Sequence, residues 1–114
     1  MPQVLTPLVE SIADTGLIVR TVKFIADGTI TLGTLIICDA TAGAIALELP
    51  SAGVNEGRVL IIKKKDVSVN AVTVTRVGSD TIDGATTYVL TSQYDSVILV
   101  NDEDGDIWNV TATV

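Results

Sequence analysis

The sequence predicts an all-β fold: a single small β-sandwich or jelly-roll-like domain of about eight or nine short strands, with an extended N-terminal arm. Three observations predict it. First, 43 of the 114 residues are Val, Ile or Thr. Such side chains are stiff at χ1 and fit a pleated surface better than a helix. Second, apolar residues alternate with polar or small ones, as in Ile45, Leu47 and Leu49 against Ala46 and Glu48. That period of two marks a half-buried strand. Third, turn-forming residues recur roughly every 8–12 residues, the spacing of short strands in a sandwich.

The size is that of one domain. Mean hydropathy is +0.51, yet no apolar run reaches the roughly 18 residues needed to span a membrane. The N-terminus has no basic segment leading into an apolar one, so no signal peptide is expected. So apolar a small domain is expected to hide surface against copies of itself or another protein. Net charge is −7, which argues against nucleic acid or an anionic membrane as partner. There is no histidine, so the commonest general base and metal ligand is missing. Cys38 is the single cysteine. It forms no internal disulfide and reads as a small buried hydrophobe.

Residues 1–15 form the arm, and 16–114 the sandwich. In the arm, Val4, Leu5, Leu8, Val9 and Ile12 are the candidate contact residues, several at helix-like spacing, and Thr6-Pro7 offers a helix start. The segment is too short for a stable helix alone. It is either an arm that orders against a neighbour or a frayed terminus.

From Gly16 the strand signal begins, with a bend expected near Arg20–Thr21. Ala26-Asp27-Gly28 has hairpin chemistry. Thr29–Thr31 and Leu35–Ala40 are strands, and Thr41-Ala42-Gly43 is a turn. Pro50 ends the alternating strand after Leu49, since it brings no N–H to a ladder. A glycine-bearing loop, Ser51–Gly57, then returns the chain, so that Ala44–Lys65 reads as a scaffold hairpin. Val59, Leu60, Ile61 and Ile62 run together, which implies a strand covered on both faces. Val72 and Val74 alternate with Thr73 and Thr75. Gly78-Ser79-Asp80 is a turn and Ile82-Asp83-Gly84 is expected to be another, and Tyr88 and Leu90 belong to a short strand. Val97–Val100 is a second run expected to be buried on both faces. The last strand, Ile107–Val114, puts Trp108, Val110 and Ala112 on one face.

Few residues offer chemistry. Asp102, Asp104 and Asp106 have the alternate spacing of a calcium loop. However, Ile107 stands where the loop glycine belongs and no glutamate closes the loop, so a solvated turn is the preferred reading. Asp80 and Asp83, with Asp95, are the only carboxylates that resemble an acid–base pair, and their turn positions favour backbone capping. No nucleophile elbow, phosphate loop or dinucleotide fingerprint is present. No catalytic residue, cofactor or metal is therefore expected. Lys63, Lys64 and Lys65, with Arg58, form the one basic cluster. They either guard a sheet edge or pair with acidic residues of a neighbouring subunit. Val59, Ile61, Lys63, Lys64 and Trp108 are the candidate core or subunit-interface residues.

The order of these features resembles a known module. Gly43 and the alternating strand lead to Leu49-Pro50, and a loop leads to I-I-K-K (Ile61–Lys64). Then come V-T-V (Val72–Val74), D-T-I-D-G (Asp80–Gly84), Gln93-Tyr94 before S-V-I-L-V, an acidic turn and Trp108. Over about Leu35–Val114 this is similar to a small β-sandwich module of tailed-bacteriophage virion proteins, found in head fibres, tail fibres and capsid decoration proteins. The resemblance implies a trimeric, non-enzymatic protein exposed on the virion, with apolar strand faces meeting at a three-fold axis. A chain of this length, starting at its own methionine, is expected to be a free-standing decoration (cement) protein rather than part of a fibre. Its expected partners are two further copies and the major capsid protein, on the capsid exterior. The alternative is a head-fibre or tail-fibre module that binds a host receptor or glycan.

Overall fold

The computed structural model describes residues 17–53, 57–102 and 106–113. The candidate arm residues Val4, Leu5, Leu8, Val9 and Ile12 lie outside this set. Among the described residues there are ten strands: β1 (Thr21–Phe24), β2 (Gly28–Thr29), β3 (Leu35–Cys38), β4 (Ile45–Glu48), β5 (Val59–Lys64), β6 (Val72–Thr75), β7 (Thr81–Ile82), β8 (Thr87–Leu90), β9 (Ser96–Asp102) and β10 (Ile107–Thr113). They form two sheets. The larger has the order β1-β3-β5-β9-β10-β7, and the smaller β2-β4-β6-β8.

The all-β, two-sheet class is the one the sequence predicts. The pairing is not that of an antiparallel jelly roll. Successive strands from β1 to β6 alternate between the sheets, and β1 to β4 each pair in parallel with the strand two further on. The first half is thus a flat coil of three turns. β8 then closes one side antiparallel to β6, and β9 closes the other antiparallel to β5. β10 continues antiparallel to β9, and β7 lies parallel to β10 at the edge.

This winding corrects two expectations. Asp27-Gly28 does not close a hairpin, because β1 and β2 belong to different sheets. The Asp27 carboxylate instead accepts the Ala46 N–H at 2.8 Å, tying the crossing to β4. Gly28 is needed for space: a Cβ there would sit 2.6 Å from the Phe24 ring. Ala44–Lys65 is likewise a crossover and not a hairpin, since β4 and β5 lie in opposite sheets. The true tight hairpin is Ile82–Ala85, where Asp83 and Gly84 both have positive φ, as such two-residue turns demand.

The core fills the space between the sheets. Ile36, Leu60, Ile62, Val97, Leu99 and Trp108 come from the larger sheet, and Ile45, Leu47, Val72, Val74 and Leu90 from the smaller. Trp108 is fully buried, and its Nε1 donates to the Pro50 carbonyl at 3.0 Å. Side chains pin the connection between β4 and β5 and the turn after β7. Asp80 accepts the Ala52 N–H at 2.8 Å. Asn101 donates to the Ala52 carbonyl at 3.0 Å and accepts the Arg58 N–H at 2.5 Å. Asp83 accepts the Val110 N–H at 3.1 Å, beside the bulge between Val110 and Ala112.

Candidate interaction surface

β5 carries the candidates Val59, Ile61, Lys63 and Lys64, and the pleat separates its residues into two groups. Leu60, Ile62 and Lys64 point inward, while Val59, Ile61 and Lys63 point outward. The strand lies between β3 and β9, so the lysines do not guard a sheet edge.

Lys64 is fully buried and ion-paired within the chain: its Nζ lies 2.7 Å from Asp66 Oδ2. It also donates to the carbonyls of Ser68 at 2.9 Å and Asp66 at 3.3 Å. Asp66 accepts the N–H groups of Ala40 at 2.8 Å and Ser68 at 3.1 Å, and the Ser68 hydroxyl. Asn70 closes the cluster by donating its side-chain amide N–H to the Ala40 carbonyl at 2.9 Å. Burial pushes the Asp66 carboxyl up. The Lys64 ammonium and the donors of Ser68 and Ala40 outweigh that and hold it well below the usual carboxylate range. Nearby, burial and the Asp66 charge push the Cys38 thiol up to about 12. Hydrogen bonds from the Thr41 hydroxyl and N–H lower Asp39. The bonds from Ala40 N–H to Asp66 and from Asn70 to the Ala40 carbonyl knit the crossing after β5 to that after β3. The sequence marks Lys64 by its alternation with Leu60 and Ile62, a signal that its two lysine neighbours obscure.

The outer face of the larger sheet has a layered pattern. Register places Lys23, Ile37, Lys63 and Ser96 side by side at one end. Thr21, Leu35, Ile61, Ile98 and Ala112 form the next row. Val59, Val100 and Asn109 follow, and Asp102 faces Ile107 at the far end. The apolar runs were expected to be covered on both faces. The smaller sheet covers only one, so Ile61, Ile98 and Val100 are half-buried by lateral neighbours and Val59 is 38% exposed. At the basic end the Lys63 ammonium lies 5.1 Å from the centroid of the Tyr94 ring.

Other candidates are accounted for locally. Asp80, Asp83 and Asp95 all accept backbone N–H groups, Asp95 from Thr91 and Ser92. Arg58 donates to the carbonyls of Thr31 and Gly33. It borders an open groove of about 410 Å³ lined also by Thr29, Glu48 and Pro50. Among the described residues, no three Cys, Asp or Glu side chains gather as a metal site. In comparisons with known proteins, the chain matches no family model and no curated protein.

Proposed function

We propose that the chain is a structural protein of a tailed-bacteriophage virion: a homotrimeric capsid decoration protein that binds the outer surface of the major capsid protein lattice and stabilises the head. It acts through buried contact area, without catalysis or cofactor. The observation that carries this reading is the order of motifs from Gly43 to Trp108, similar to that of the virion module. Support comes from what those motifs do. Pro50 and Trp108 are joined by a hydrogen bond, Asp80 and Asp83 of D-T-I-D-G hold Ala52 and Val110, and Lys64 of I-I-K-K is a buried structural cation. Pro50, Lys64, Asp80, Asp83 and Trp108 thus all serve the fold. The apolar outer face supports association.

Electron microscopy of capsids mixed with the purified protein tests the proposal. Added density on the capsid exterior is expected, and binding only at the tail would sink it. Deleting Met1–Ser11 is expected to abolish capsid binding while leaving a folded oligomer; decoration at full occupancy would remove the arm from the proposal.

A second reading, a fibre module that binds a receptor or glycan, is favoured by one observation. Tyr94 is 57% exposed in a turn with positive φ, its ring presented beside Lys63. Trp108, fully buried, is no stacking platform. A glycan-array signal lost in Tyr94→Ala would favour this reading over the first.

A further inference from the structure

The turn between β8 and β9 holds a tyrosine in backbone that suits glycine. Tyr94 has a φ of 70°, a left-handed conformation that bulky side chains rarely adopt. Its surroundings fix it there. The Tyr94 N–H donates to the Lys64 carbonyl at 2.7 Å, and the Lys64 N–H donates to the Asp95 carbonyl at 2.9 Å. The Asp95 carboxylate accepts from Thr91 and Ser92 in the same turn. Glycine would take this conformation freely, so the turn itself does not call for the ring. The ring is 57% exposed, with the Lys63 ammonium 5.1 Å from its centroid. Strain kept beneath an exposed aromatic is the mark of a functional position.

A pocket of ligand size adjoins this turn. It is open, about 340 Å³ in volume, and lined by Lys23, Asp39, Thr41, Lys65 and the neighbour of Tyr94, Gln93. Asp66 also borders it, but its charge is matched by Lys64. Among the described residues, Lys23 and Lys65 are in no ion pair. Asp39 accepts from the Thr41 N–H and hydroxyl through Oδ1 alone, which leaves Oδ2 to accept from a ligand.

These groups select a ligand class. Two ammonium groups against one carboxylate give the pocket a positive balance within a chain of net charge −7, so it draws in a singly negative group. A free phosphate would set its charge against Asp39, whereas a ligand hydroxyl donates to it. The exposed ring offers a flat apolar surface next to these polar groups, as the C–H face of a sugar requires. We propose that Tyr94 and the pocket beside it bind an acidic saccharide, with the sugar carboxylate met by Lys23 and Lys65, its hydroxyls by Asp39 and Gln93, and a ring face by Tyr94. The inference rests on the receptor- or glycan-binding reading above, and adds the class of glycan and the residues that choose it.

Isothermal titration calorimetry on the full chain tests it, with oligogalacturonate and sialyllactose as probes. Their methyl esters, which lack the charge, and inorganic phosphate are the comparators. At least one acid is expected to bind about tenfold or more tightly than its ester or phosphate, and more weakly as salt rises. Lys65→Gln is expected to lower that affinity about tenfold. Tyr94→Gly keeps the test clear of misfolding: relief of the positive φ is expected to raise its urea midpoint while affinity falls about tenfold. Full affinity in Tyr94→Gly or in Lys65→Gln would overturn the site. Equal binding of acid and ester, lost in Tyr94→Gly, would keep the glycan reading and overturn the acidic class. Phosphate bound as tightly as the acids would overturn the saccharide. Binding of neither acid nor ester would overturn the inference together with the reading it rests on.

Discussion

Lys64 and Asp66 are two positions apart in sequence and form a sealed ion pair, Nζ to Oδ2 at 2.7 Å, with side chains 0% and 4% exposed. Removing one member of such a pair leaves the other charged and dry. Asp66→Ala also strands donors from Ala40 and Ser68. It is expected to cost about 3–5 kcal/mol in urea denaturation, the upper end of that range. Lys64→Met is expected nearer the lower end, because Asp66 keeps its other donors.

The same pair sets the acid response. The Asp66 carboxyl titrates lower in the folded chain than in the unfolded one, where it has the usual value near 3.8. A lowered folded pKa gives stability that is fully present above the unfolded value and is lost as pH falls from there toward the folded value. Asp39 acts in the same direction. The urea midpoint is therefore expected to be level near neutrality and to fall below about pH 4. Asp66→Asn should flatten that fall. An equally steep acid slope in the variant would show that other carboxylates carry it.

Cys38 gives the opposite sign. Its thiol is raised to about 12 from 9.0, so the folded state loses stability as pH rises from about the unfolded value toward the folded one. A thiol reagent at pH 8 is expected to label Cys38 only as fast as the chain opens. Immediate labelling of the native protein would contradict its burial.

Trp108 is the single tryptophan, so its fluorescence reports the core directly. Emission is expected at short wavelength, with little quenching by iodide, until the chain unfolds. Trp108→Phe loses the bond to Pro50 and some volume, and is expected to cost about 1–3 kcal/mol.

Gly28→Ala places a methyl against the Phe24 ring, 2.6 Å from its nearest atom. Overpacking of this kind costs about 1–3 kcal/mol. Phe24→Leu is expected to recover part of the loss in the double variant, measured by thermal denaturation. Additive losses would place the strain elsewhere.

What was legible in the sequence was local. Ile45, Leu47 and Leu49, and Val72 with Val74, alternate and face the core as their spacing predicts. The runs at Val59–Ile62 and Val97–Val100 mark central strands of the larger sheet. What was not legible was which strands pair. Asp27-Gly28 has the chemistry of a hairpin, but a turn only redirects the chain; whether it returns in the same sheet or the facing one depends on distant partners such as Ala46. Lys64 was similarly opaque, because its burial depends on Asp66 and Ser68 folding back over it. For the interaction surface, the apolar runs were visible, but their bare outer side was not.

The position of β9 has a consequence for how the chain is made. Parallel neighbours wound between two sheets give few contacts close in sequence, which slows folding. β9 sits in the middle of the larger sheet, between β5 and β10. A nascent chain that has reached Lys64 therefore has one edge of β5 unpaired and its inward Leu60 and Ile62 incompletely covered. That edge stays open until Ser96–Asp102 has been synthesised and has left the ribosome. Truncations short of β9 are thus expected to aggregate as they are made, and the full chain to complete both sheets only near the end of synthesis.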